Sequence, residues 1–148
     1  MSTLAYRLKR GRQLLKTVLV YLGISAFCIL FDRIYALYGH GVYSPAMSLM
    51  FLYPLAGGAL VFTLLWLINP AADATANYRV HYNLYNSGIA TLLTGSLLRG
   101  IFDIAGTSSS YTVLFYLAGC LFAAAGAAGF GISGRLHKTK GAEGSERE

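Results

Sequence analysis

Charge is scarce in this chain. Only 12% of its 148 residues are charged, against about 25% in an ordinary soluble domain. A soluble bundle of this size must cover its outside with charge, so the shortage points to an outer surface in contact with lipid. Cysteine is almost absent. Cys28 and Cys120 stand alone inside apolar runs, without a CxxC neighbour or a histidine at ligand spacing. That excludes a zinc-ribbon or thioredoxin-like reading. The two are expected to be small buried side chains, and a disulfide between them would need matched depth. The signatures GxSxG, HExxH and a glycine-rich phosphate loop before a lysine are missing. An enzyme therefore ranks last among the functional classes, and neither metal nor cofactor is expected.

The net charge is +6, and its distribution matters more than its size. Arg7, Lys9, Arg10, Arg12 and Lys16 precede the first apolar run, and Arg135, Lys138, Lys140 and Arg147 follow the last. Basic residues flanking apolar segments set orientation and hold anionic headgroups. They are not the footprint of a nucleic-acid binder, and no nucleic-acid partner is expected. The basic start and apolar run are not read as a cleaved leader. No A-x-A-like site follows, and the run continues into Phe31, Asp32, Arg33 and Ile34.

Hydrophobic residues make up 55% of the chain. They fall into four runs, at about Thr17–Tyr38, Met47–Ile68, Tyr85–Ile104 and Tyr111–Ile132. Each approaches the roughly 20 residues that cross a bilayer as a helix. The expected fold is all-α, a four-helix transmembrane bundle. Residues 1–16 form a basic cytoplasmic segment, 17–132 the membrane domain and 133–148 a cytoplasmic tail, largely disordered. Gly39, Gly41, Ser44 and Pro45 separate the first two runs, and Asn69-Pro70 ends the second. Gly106 to Ser110 turns the chain into the fourth, with Ser110 as a candidate cap. The positive-inside rule puts both termini in the cytoplasm.

The third run carries most of the polar chemistry. Asn83, Ser87, Thr91, Gly95, Arg99 and Asp103 recur every fourth residue, with Asn86 and Thr94 beside them. Polar side chains in a membrane turn toward other helices, so this ridge is expected to face the interior. It serves either interhelical hydrogen bonding or a polar, ligand-lining wall. Arg99 lies one turn inside Asp103, close enough for an i,i+4 pair. Asp32 and Arg33 lie at a comparable height on the first run. A neutral network of Asp32, Arg33, Arg99 and Asp103 would explain how charge is tolerated there. The competing reading has Arg99 bind an anionic group, with His40 nearby. His40, Asn83, Asn86 and Thr91 are the candidate ligand contacts.

Two further features bear on packing. Tyr53-Pro54 and Gly57-Gly58 predict a bent second span. The fourth run has small residues at four-residue spacing, Gly119, Ala123, Ala127 and Gly131 on one ridge and Ala125, Gly129 and Ser133 on another. Such ridges let helices approach closely.

The segments Tyr82-Asn83-Leu84-Tyr85-Asn86-Ser87-Gly88-Ile89-Ala90-Thr91 and His40-Gly41-Val42-Tyr43-Ser44-Pro45 resemble those of small uncharacterised four-helix membrane proteins of Gram-positive bacteria. The resemblance implies a multi-pass protein of the bacterial plasma membrane. It brings no activity, and no residue's role is carried over from it. The expected function is that of an accessory or structural subunit of a membrane complex. The alternative is a small oligomeric transporter or ligand-binding protein, with a polar site near the outer ends of the first and third spans. The expected partners are the bilayer and either another membrane protein or further copies of the chain.

Overall fold

In the computed structural model the described residues are 12–38, 42–68 and 78–145, and their regular structure is all helix. Helix α1 runs Arg12–Tyr38 over 27 residues. A short helix α2, Pro45–Ser48, follows the first connection. The chain then passes into a π-helical segment, Tyr53–Leu60, and on into α3, Val61–Ile68. Helix α4 spans Tyr78–Ile104 and α5 spans Thr112–Ser145. The basic residues Arg7, Lys9 and Arg10, the His40 loop and the Asn69–Asn77 connection lie outside the described residues.

Among the described residues, three stretches are long and apolar enough to cross a membrane: Leu14–Tyr38, Pro45–Ile68 and Thr112–Gly131. Only 28%, 22% and 17% of their most apolar windows are buried within the chain, so most of each faces outward. Helix α4 is long enough at 27 residues, but its polar ridge keeps it from matching the other three in apolarity. Helix α5 continues to Ser145, beyond Ser133 where the sequence placed the start of the tail.

The second span is not one uniform α-helix. Pro54 has no backbone N–H to give, and its ring crowds the preceding turn. The chain responds with the wider π pattern, which occurs mostly as short interruptions of α-helices and often near functional sites. Tyr85 Oη donates to the Gly57 carbonyl at 2.5 Å, which gives that carbonyl a partner from α4.

Helices α4 and α5 form an antiparallel hairpin. Burial on α4 falls at Tyr78, Tyr85, Gly88, Ile89, Gly95, Ser96 and Gly100, and on α5 at Thr112, Gly119, Gly126 and Gly129. Steps of seven between Tyr78 and Tyr85, and between Thr112, Gly119 and Gly126, mark a coiled-coil-like seam. The meeting points keep one register: Gly88 with Ala123, Leu92 with Gly119, Gly95 with Phe115, and Tyr85 with Gly126. At Gly88 and Gly126 a Cβ would strike the backbone of the facing helix. Glycine there permits the close approach.

The hairpin turn is a Schellman motif. The Thr107 N–H reaches the Phe102 carbonyl at 3.0 Å and the Gly106 N–H reaches Asp103 at 3.2 Å, with Gly106 at φ 69°. A side chain on residue 106 would strain that left-handed backbone. The cap differs from expectation by one residue. Ser109, not Ser110, serves the start of α5: its hydroxyl accepts from the Tyr111 N–H and its carbonyl accepts from the Thr112 hydroxyl at 2.9 Å.

Two apolar clusters hold the bundle together. The larger surrounds Phe62, which is 0% exposed, with Leu14, Tyr21, Tyr78, Tyr85 and Ile89. Phe62 stacks on Tyr21 at 5.8 Å and meets Tyr85 edge-on at 5.6 Å. The smaller joins Cys28, Met47 and Met50. Cys28 is buried as expected, whereas Cys120 is exposed on the outer side of α5, and both are free thiols. The hairpin seam passes through Gly119 and leaves its successor facing away.

Candidate functional site

The polar side chains gather in two places, one toward each end of α1. At the end near Arg12, α1 and α4 are bridged twice. Thr17 Oγ1 and Tyr82 Oη lie 2.9 Å apart, and Tyr21 Oη donates to Asn86 Oδ1 at 2.7 Å. Both pairs are 65 residues apart in sequence and sit one turn from each other, so α1 and α4 run parallel. A cleft of about 390 Å³ lies along these bridges, lined by Lys16, Val20 and Ile24 from α1, Asn86 and Leu93 from α4, and Pro54.

At the other end, the residues around α2 are pinned between α1 and α4. Ser48 Oγ donates to Asp32 Oδ1 at 3.1 Å. Ser44 Oγ donates to Asp103 Oδ2 at 2.6 Å, and Ser96 Oγ donates to the Ala46 carbonyl at 2.7 Å. Asp32 and Asp103 thus take serine hydroxyls as partners. Among the described residues no ion pair joins Asp32, Arg33, Arg99 and Asp103. Arg33 and Arg99 are exposed. The serines carry no local sequence signal, because their partners lie 59 and 16 residues away. The only cue was that Ser44 and Ser48 flank Pro45 in the connection.

Arg99 lines two clefts. One, of about 200 Å³, is formed with Asp103, the serines at 108–110 and Thr112. The other, of about 420 Å³, is formed with Leu49, Tyr53, Ser96 and Tyr116. The guanidinium therefore stands between a polar and a more apolar recess at the same end of the bundle.

The four-residue ridge does not face inward along its whole length. Asn83 and Ser87 are exposed, Thr91 is half-buried, Gly95 is buried, and Arg99 and Asp103 are exposed again. A strict four-residue repeat drifts around a 3.6-residue helix, so the ridge crosses the buried seam only at Gly95. Thr91 donates to the Ser87 carbonyl at 2.7 Å and Thr94 to Ala90 at 2.9 Å, both within α4. Of the candidate ligand contacts among the described residues, Asn86 alone reaches another helix by hydrogen bond. His40 lies outside the described residues.

The small-residue ridge of α5 divides similarly. Gly119 and Ala123 meet α4, while Ala127 and Gly131 face outward, and a Cβ on Gly131 would touch nothing. Gly129 meets His81 instead.

Comparison of the chain with known families, with curated proteins and with solved structures finds no match. The roles considered below rest on the chain's own residues.

Proposed function

We propose that this chain crosses a bacterial plasma membrane four times, with both termini in the cytoplasm, as an accessory or structural subunit of a larger membrane complex. The observation that carries the reading is the outward face of α5. Ala124, Ala127, Ala128 and Gly131 are exposed there, on a helix whose main partner within the chain is α4. Lipid gains nothing from such a flat surface, whereas a partner helix packs closely against it.

Helix α4 counts as the third crossing because many of its polar groups are satisfied inside the chain. Thr91 and Thr94 return to their own backbone, while Asn86 and Ser96 bond to neighbouring segments. Backbone and side-chain polar groups need such partners where water is absent. Arg12 and Lys16 before the first crossing, and Arg135, Lys138 and Lys140 after the last, favour cytoplasmic termini.

Photo-crosslinking tests this reading. A benzoylphenylalanine at Ala128 should give one discrete adduct with a different membrane protein, lost when Ala127 and Gly131 are both changed to Phe. Adducts with lipid alone would contradict it.

A second reading is favoured by one observation, the position of Arg99 between two clefts. In it the outer end binds a small organic anion for transport. Saturable uptake or binding of such an anion that is lost in Arg99→Gln supports this reading; binding unchanged in that variant opposes it.

A further inference from the structure

We propose that the cleft between α1 and α4 holds one anionic glycerophospholipid, taken from the surrounding bilayer with its phosphate at Lys16. The inference rests on the membrane-crossing part of the reading above, but not on the role of α5 or of Arg99, since it concerns the opposite end of the bundle from Arg99 and a different face from that of α5.

The lining of the cleft follows the order of groups in a phospholipid. Lys16 stands at its basic end and is exposed. The next positions are hydroxyl-bearing, Thr17 with Tyr82, followed one turn on by Tyr21 with Asn86. Beyond them the walls are apolar, with Ile24, Ile89 and Leu93. From Lys16 to Ile24 is eight residues, about 12 Å of helix rise. Charge, then hydrogen-bonding groups, then hydrocarbon is the sequence of phosphate, glycerol esters and acyl chain. Val20 and Ala90, also on the lining, are exposed, so the cleft opens on the surface that faces lipid.

The hydrogen-bonding capacity fits as well. Asn86 uses its Oδ1 to accept from Tyr21, and its amide N–H groups have no partner among the described residues. They are donors at the depth of the ester carbonyls, which are acceptors only. The occupant is anionic because the ionised side chain of the cleft is a lysine, with no carboxylate among the lining residues. Arg12 lies one turn before Lys16 on α1 but does not line the cleft. It separates a site from a general attraction of basic residues for an anionic surface.

Native mass spectrometry of the full chain tests the proposal. The protein is delipidated in mild detergent and offered equal amounts of phosphatidylglycerol and phosphatidylcholine with identical acyl chains. One phosphatidylglycerol per chain should be retained in preference to phosphatidylcholine. Lys16→Gln, at an exposed position, should weaken retention about fivefold. Ala90→Trp should fill the cleft and abolish it, and Arg12→Gln should leave it unchanged. Equal retention of the two lipids would overturn the assignment of an anionic occupant. Retention undiminished in Lys16→Gln, or weakened as much by Arg12→Gln, would overturn the site. The Lys16 and Arg12 comparison decides the matter even where Ala90→Trp does not fold, and circular dichroism establishes that each variant compared is folded.

Discussion

Tyr21 and Asn86, 65 residues apart in sequence, are joined by a 2.7 Å hydrogen bond that links the first long helix to the third. The bond lies beside the Phe62 cluster, on which the Tyr21 ring stacks at 5.8 Å. One side chain thus contributes both apolar packing and interhelical hydrogen bonding.

A double-mutant cycle measures this link. Tyr21→Phe keeps the ring and removes the hydroxyl, and Asn86→Ala removes the acceptor. Polar pairs inside membrane proteins couple by about 0.6 kcal/mol on average, up to about 1.7. The coupling in a detergent melting series should fall in that range. Strict additivity would show that the bond contributes no net stability.

Two glycines, on α4 and α5, should behave oppositely. Gly88→Ala drives a methyl into the backbone of α5 at Ala123, whereas Gly131→Ala meets open space. Overpacking of this kind costs about 1–3 kcal/mol, so Gly88→Ala should lower the melting temperature while Gly131→Ala leaves it in place. Equal effects would contradict the hairpin register.

Asp32 and Asp103 should respond to their serines and not to the arginines. Ser44 is buried and donates to Asp103, so Ser44→Ala should cost about 1 kcal/mol. Arg99→Ala, at an exposed position, should stay within about 0.5 kcal/mol. The charge swap Asp32→Arg with Arg99→Asp should give no recovery over the single changes. Recovery would restore the four-charge network that the sequence suggests.

The all-helical fold and its three most apolar stretches are legible because hydropathy acts locally. The seam between α4 and α5 is not, because a four-residue repeat and a seven-residue repeat overlap for a turn or two and then diverge. The four-residue repeat puts Asn83 and Ser87 in the interior, whereas the helix turns them outward. The charges near Arg99 were visible in the sequence, but their partners were not. Ser44 meets Asp103 only after the chain has returned through three helices. Cys120 departs from the expected burial for the same reason as the ridge: its neighbour Gly119 takes the buried position on the seam.

Topology is checked in intact cells. In a background lacking Cys28 and Cys120, Tyr43→Cys, at an exposed position in the first connection, should react with a membrane-impermeant maleimide from outside. Reaction only after lysis would reverse the orientation.

The most direct measurement is native mass spectrometry of the protein extracted from its own membrane in mild detergent. An accessory subunit should leave the membrane with a second membrane protein at fixed stoichiometry, and Ala127→Phe with Gly131→Phe should release it. Recovery of the chain alone, or only as copies of itself, under extraction that keeps other complexes intact would contradict the proposed role.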